Sequence, residues 1–574
     1  MENKAYPDGL YDFRSLVSGG YHFVDKTLMI TEVCDAENQT FLYTRPRRFG
    51  KSINLSMLDY FFNMKFKDDE DIFEGLKIGS CHRCDEHKNV YPVIRMNFGK
   101  LKSNSAEAFD ESLREILKEV AHSFGYLVSN GLLDRYHVDI LDRARSGRLN
   151  AAETEGFLCN LCDILYEVHG RKTIILVDEY DQCIQNIRSK EQLLAVTERL
   201  RPFMQQTFKF NDNIKFGVIT GIMPLAKTGM LSDLNNLAVC DILNTEGDEL
   251  FGFTESEVEQ LLVDTDSDDV SVLREIREWY DGYRFGNVDV YNPYSVILYL
   301  KSRNQKKDAD PARKYWEGTT AGGISEELLS SLGNIPLIQL RNLVDGKEES
   351  FESGITSNIT YPEIMGNDVD PALVYSYLAM SGYLRVERIG KDPETEDALC
   401  RVSMVNREIT PAFKGLVSRA VEKEKNIRMK LEEHLVSGSP NDIRDDLQFI
   451  FAGLKMDGRW SEDSPTAHDL YKNSLNSALR ASLLLSTEEV PKGLGIVDIF
   501  IPSDSKRPAI AIEFKTSEKK EPMKLADEAL DQMITKGYLS EPLDGKVVWI
   551  ALGIRIKEVC VRTRKGYSDQ YPAF

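Results

Sequence analysis

The apolar positions of this chain change period several times, and each change marks an element. "TFLYTRP" (40–46) is a short apolar run entering a loop, and "SINLSMLDYFFNMKF" (52–66) repeats apolar residues at i, i+3, i+4 and i+7. A buried strand is therefore expected to feed a helix there. "VYPVIRMNFGK" (90–100) reads as another strand, helices follow through 105–168, and "KTIILVDEYDQ" (172–182) is an unbroken apolar run ending in acids. Such a run suits a strand buried on both faces of a parallel sheet. After a further helix, "NIKFGVITGI" (213–222) repeats the theme, and "YHFVDKTLMITEV" supplies a lead-in strand and helix near the start. Strands alternating with helices predict an α/β core with a doubly wound parallel sheet.

Beyond this core, "WYDGYRFGNVDVYNPYSVILYL" (279–300) is aromatic and turn-rich, then helical. Residues 300–440 read as mostly helical and polar, but "DPALVYSYLAMSGYLRVERIG" followed by "LCRVSMVNREI" is a helix leading into a hairpin, the order of a winged-helix module. Helices continue to about 487. Strands then return in "GLGIVDIFIP", "RPAIAIEFKTS" and "GKVVWIALGI", with one helix between the last two. No internal repeat or low-complexity linker stands out. Three domains are expected: 1–300, a helical, winged-helix-like middle over 301–435, and a C-terminal α/β domain over 436–574.

Composition narrows the class. At 574 residues the chain exceeds what one hydrophobic core supports. Its apolar fraction of 42% and charged fraction of 28% are those of an ordinary globular protein. No apolar run approaches a bilayer-spanning length, so no membrane partner is expected. The first residues, "MENKAYPDGLYDF", lack a basic stretch followed by an apolar one, so a cytoplasmic location is the expectation. Nine cysteines, an odd number, favour reduced thiols over a disulfide framework. Cys81 and Cys84, with His82 and His87 nearby, form one Cys-x-x-Cys pair. It reads as a polar surface loop, with zinc as the alternative. Cys159 and Cys162 form the second, on an amphipathic helix where buried structural cysteine is the better account. The formal net charge of −21 opposes general nucleic-acid binding, which draws its strength from phosphate neutralisation. Any such contact needs a local basic surface.

The chemistry concentrates at two places. In "TRPRRFGKSINL" a strand precedes the loop and a helix follows it, the context in which backbone N–H groups at a helix N-terminus cradle phosphates. Gly50 permits close approach of the backbone, Lys51 bridges the outer phosphates, and Ser52 holds Mg²⁺. Downstream, Asp178 ends an apolar strand and is placed to hold Mg²⁺, and Glu179 follows as the base that polarises attacking water. Thr220 ends the next strand, where a polar residue senses the terminal phosphate. Solvated acids capping a buried strand are common alone. Both motifs, in order and on the right elements, point to ATP or GTP binding. "FVDKT", "RPRRFGKS", "ILVDEYD", "DGYRFG" and "YNPYSV" together resemble the AAA-ATPase-like family over roughly residues 5–300. The resemblance implies an ATP-binding core in which Arg45, Pro46, Arg47, Arg48, Phe49, Gly50, Lys51 and Ser52 form the phosphate loop. Arg45 is that family's normal variant at a position that is commonly glycine, and Arg45, Arg47 or Arg48 could themselves neutralise phosphate charge.

The second place is "GLGIVDIFIP…RPAIAIEFKTS". Residues two apart share a strand face, so Glu513 and Lys515 project together, with Asp498 on the neighbouring strand. Two carboxylates and a lysine at a sheet edge are the makings of a metal-dependent phosphodiesterase, the acids holding Mg²⁺ and the lysine stabilising developing charge. Asp…Glu-x-Lys is weak by itself, because strand ends rich in Asp, Glu and Lys are common. The arrangement resembles the PD-(D/E)XK nuclease superfamily over roughly 440–574. That resemblance maps Asp498, Glu513 and Lys515 onto the catalytic set, and Gln532 with Tyr538 onto a helix motif. The chain departs at Gly495-Ile496-Val497-Asp498, where an arginine often precedes the aspartate. The upstream helix acid has only Asp469, Glu488 and Glu489 as candidates. The expected whole is an ATPase with Mg²⁺ that drives or gates a nuclease acting on nucleic acid, DNA rather than RNA. The alternative is a nucleotide-dependent switch whose nuclease fold is a degenerate interaction module. A homo-oligomer is compatible with both.

Overall fold

The computed structural model describes residues 4–567 apart from 130, 132, 186, 188–189, 225–230, 232–233, 268, 306–311, 317–327, 330–331, 333, 358–368, 393–396, 453–464, 482–485, 493–494, 504–506, 538–545 and 556–557. The chain gathers into two compact units. One takes in residues 1–325, 342–365 and 372–414; the other takes in 326–341, 366–371 and 415–574. The expected middle domain is thus divided between them.

The first unit is built on five parallel strands: β1 (Gln39–Thr44), β2 (Val93–Asn97), β3 (Thr173–Asp178), β4 (Ile214–Gly221) and β5 (Leu237–Cys240), in the order β2-β3-β4-β1-β5. Every residue of β3 and β4 is buried. Side chains alternate across a strand, so both faces of the sheet are covered, as the unbroken apolar runs require. The covering helices carry their own start signals. Ala151–His169 opens on an Asn150/Glu153 capping box and closes on Gly170, while Ala106–Ser123 is capped by the Ser105 hydroxyl. Parallel strands put all their C-terminal ends at one edge of the sheet. The registers Tyr43↔Thr220, Val177↔Ile219 and Asn97↔Asp178 align the loop after β1 with the ends of β3 and β4.

A hairpin of β6 (Tyr283–Phe285) and β7 (Val288–Val290) follows. β8 (Ser350–Ile355), β9 (Leu384–Lys391) and β10 (Ala398–Met404) form a three-stranded antiparallel sheet in the order β8-β10-β9. The helix Pro371–Met380 runs directly into β9, the expected helix-then-hairpin order.

The second unit holds a mixed sheet of β11 (Thr487–Lys492), β12 (Gly495–Ile501), β13 (Ala509–Thr516), β14 (Lys546–Arg555) and β15 (Glu558–Tyr567), in chain order. All neighbours are antiparallel except β13 and β14, which run parallel with the helix Pro522–Thr535 between them in sequence. β13 serves two cores. Ile510, Ile512 and Phe514 face Leu435, Leu447 and Tyr471, whereas Ala509 and Ala511 pack with Ala529 and Met533 of that helix. The small alanines let the helix approach closely, and Glu513 follows them on the same face.

Candidate functional site

At the C-terminal edge of the parallel sheet, β1 ends and the chain turns through residues 45–50 into the helix Lys51–Phe62. Gly50 caps that helix at φ 82°, in the left-handed region that favours glycine. Arg48 also takes a positive φ, 71°. The loop therefore curls tightly, with the first free N–H groups of the helix at its mouth. Lys51 is buried, and its ammonium donates to the carbonyls of Arg45 (2.8 Å) and Pro46 (2.7 Å). Burial pulls its pKa down to about 8, opposed by the charges of Asp181, Asp178 and Glu179.

Asp178 ends β3 almost wholly buried, and the Thr220 hydroxyl on β4 donates to it at 2.6 Å. The two residues read separately from sequence are thus joined by one hydrogen bond. Glu179 follows at φ 55°. Burial, then the Asp178 charge, pushes its carboxyl above the usual range. Its side chain lies against Gly99, where a Cβ would stand 2.1 Å from Glu179 Oε2. A cavity of about 590 Å³ opens here. Its walls include Arg47, Arg48, Phe49, Gly50, Lys51, Ser52, Gly99, Glu179 and Asp181, with Tyr11, Phe23, Tyr294 and Ile297 at its apolar parts.

Three loop residues bury their side chains within the fold. Arg45, expected as a cation for phosphate, is fully buried instead. Its guanidinium donates to the carbonyls of Thr44 (2.9 Å), Cys240 (2.8 Å) and Gly247 (3.0 Å) and lies over the Phe285 ring at 4.8 Å. A planar fork of donors closes three carbonyls at once, so Arg45 ties the loop to the end of β5 and cannot also face the cavity. Pro46 is buried, and Phe49 is wedged edge-on against Tyr283 at 4.8 Å. Arg48 is exposed and stacks over Tyr294 at 4.5 Å; Arg47 and Ser52 are half-buried.

Asp181 was not singled out from sequence. It is buried, and it accepts from the backbone N–H of Ile222 and Met223, both at 2.9 Å. It thereby fixes the chain just after β4 beside the cavity. Its signal was present in "VDEYDQ" as a third acid, but its partners are forty residues away.

The C-terminal triad also meets. The register Ile499↔Ile512 puts Asp498 beside Glu513. Asp498 Oδ2 accepts from the Phe514 N–H (2.8 Å) and from His468 Nε2 (3.3 Å). Glu513 is buried. Gln532 donates to its Oε1, Lys515 Nζ stands 3.8 Å from the same oxygen, and Oε2 has no hydrogen-bond partner. Burial and the Asp498 charge push the Glu513 carboxyl up to about 7, against the pull of Lys515. Gln532 thus stands beside Glu513, and Tyr538 lies outside the described residues. Asp469 is exposed and Lys472 lies 3.3 Å from it. Glu488 accepts from Asn476, and the Glu489 side chain is not described. The residue found nearest the acids is His468, which the search for an upstream carboxylate passed over.

Among the described residues, no group of three or more His, Cys, Asp or Glu side chains is arranged to hold a metal ion. The zinc alternative for Cys81 and Cys84 therefore gains no support. Cys84 is buried against Cys34, so the surface-loop reading fails for that residue. Cys162 is buried as expected and Cys159 is half-buried. No helix among the described residues is long and apolar enough to cross a membrane.

The chain is 25% identical over 555 residues to an uncharacterized protein in the vnfD 5′ region of Azotobacter chroococcum mcd 1, spanning 94% of this chain and 93% of that one. Among solved structures, one match is the Aeropyrum pernix ORC2 protein in ADPNP-ADP complexes, with 12% identity and a TM-score of 0.33, over 74% of this chain and 98% of that one. Residues 7–231, the stretch that carries β1 to β4, the loop, Lys51, Asp178, Glu179, Asp181 and Thr220, match the family model described as AAA-ATPase_like, predicted AAA-ATPase.

Proposed function

We propose that the first unit binds and hydrolyses ATP with Mg²⁺, and that it serves a Mg²⁺-dependent nuclease-like site on the C-terminal sheet that acts on DNA. One observation carries the first part: a helix N-terminus, a buried lysine and two acids that follow β3, Glu179 and Asp181, line a single cavity of nucleotide size. The donor set fits a nucleotide with its metal. The helix N–H groups and Lys51 suit phosphate oxygens, and Lys51 exchanges its two loop carbonyls for them. Ser52 and Asp178 are hard oxygen ligands suited to Mg²⁺, which offsets phosphate charge when bound. Glu179, held high by burial, accepts the proton of the attacking water. Thr220 keeps Asp178 in one orientation.

At the second site the unpartnered, buried Glu513 Oε2 beside Asp498 suits a divalent cation, and Lys515 stands ready to stabilise charge on a scissile phosphate. Calorimetric titration with ATP and Mg²⁺ tests the first part: binding that survives Lys51→Ala unchanged sinks it. Incubation with DNA, ATP and Mg²⁺ tests the second: cleavage absent, or equal in Asp498→Ala, sinks that.

Two observations favour a switch without cleavage. His468 already bonds Asp498 Oδ2, and exposed Ile496 stands where an arginine is common. Divalent-metal binding lost in Glu513→Ala supports the cleaving reading against this one.

A further inference from the structure

The nucleotide and nuclease readings leave one cluster unused. Cys34 follows the helix Met29–Val33, and Cys84 lies in the short 3₁₀ helix His82–His87. Both side chains are buried, fifty residues apart in sequence, with their Sγ atoms 2.7 Å apart. All nine cysteines are free thiols. Two features mark this pair off from cysteines that merely fill a core. The Arg83 guanidinium is held by Asp35 at 3.0 Å and by the Thr31 carbonyl, two groups that flank Cys34 in the chain. Reactive cysteines sit in electropositive surroundings of this kind. Half-buried Cys81 lies one turn before Cys84, its carbonyl accepting the Cys84 N–H at 3.2 Å, and gives the cluster a side open to solvent.

We propose that Cys34 and Cys84 are a redox site that a peroxide closes into a disulfide. The Cys34 thiolate attacks one oxygen of hydrogen peroxide, the O–O bond breaks, and Cys34 becomes a sulfenic acid as hydroxide leaves. The Cys84 sulfur then attacks the Cys34 sulfur. The S–S bond forms, the S–O bond breaks, and a second hydroxide leaves. The two thiol protons convert both hydroxides to water, so two thiols and one peroxide give one disulfide and two waters. An exogenous dithiol reverses the step by exchange, and Cys81 is the accessible thiol through which exchange enters. Arg83, held by residues on either side of Cys34, places its charge beside that sulfur and assigns the first attack to it, and burial holds the Cys84 thiol well above its usual range. The closed bridge would enclose β1, the phosphate loop and the helix Lys51–Phe62 within one covalent loop, constraining the unfolded chain.

The full-length protein is treated with hydrogen peroxide, unfolded, alkylated and mapped by peptide mass spectrometry. The expected result is a Cys34–Cys84 linked peptide, loss of two free thiols per chain, a raised thermal midpoint and full reversal by a dithiol. Arg83→Ala, at an exposed position, should slow linkage roughly tenfold, with a melting curve to check that the variant is folded. Four results overturn the proposal: both thiols remain alkylatable after peroxide; the linkage joins other cysteines; Arg83→Ala links at the wild-type rate; or the purified chain carries one zinc per molecule that thiol alkylation releases.

Discussion

The two candidate sites place acids at strand ends by different routes. In the first unit every contributing strand is parallel, so Ser52, Asp178 and Thr220 reach one edge because their strands point the same way. The acid at its centre is already satisfied by Thr220, and Lys51 by two carbonyls. In the second unit the acids meet across an antiparallel ladder, and Glu513 is buried with one oxygen unpaired. The first site is a finished polar network awaiting exchange of partners. The second holds an unmet electrostatic demand. Preorganisation is thus expected to show in the first as loss of activity on mutation, and in the second as a pH-dependent cost to stability.

The largest expected effect tests the first half of that contrast. Lys51→Ala should lower ATP turnover by about three orders of magnitude while costing less stability than the loss of Arg45, since it leaves two carbonyls unpaired rather than three and, on the proposed reading, removes the cation that meets the phosphates. A steady-state phosphate-release assay beside a melting curve checks it. Arg45→Ala should do the opposite. It orphans three buried carbonyls and should cost about 4 kcal/mol in denaturant unfolding, with ATP affinity per folded molecule kept. Equal ATP loss in both variants would erase the distinction drawn between the two cations.

The second half is read by pH. The folded Glu513 carboxyl stands near 7, above its unfolded value near 4.3, so the folded state binds the extra proton between those values. Its stability contribution is complete below about 4 and is lost as pH rises through 7, by about 3 kcal/mol. Metal-free unfolding at several pH values should show that slope, and Glu513→Gln should flatten it. Thr220→Val removes the bond to Asp178 and should cost about 1 to 2 kcal/mol, the smallest of these effects, with some loss of turnover.

Much of the first site was legible because its evidence is local. The strand–loop–helix order around Gly50-Lys51-Ser52 and the apolar run ending at Asp178 each lie within a dozen residues. Asp498, Glu513 and Lys515 were legible through alternation and the following helix, and Gln532 only through the family resemblance. The less legible residues were those whose partners are remote. Arg45 looked like a phosphate ligand because it sits in the loop. Its true partners, Cys240 and Gly247, lie about two hundred positions away, where no pattern announces them. Asp181 and His468 escaped for the same reason.

Sequence by itself determined the periodicities, and with them the two α/β sheets and the residues at their strand ends, since burial of one or both faces dictates the spacing of apolar side chains. Tertiary structure alone decided which polar groups answer one another: that Thr220 bonds Asp178, that Arg45 turns inward, that His468 reaches Asp498, and that Cys34 meets Cys84. A buried donor or acceptor takes whatever partner the packing delivers, and packing is a property of the whole folded chain.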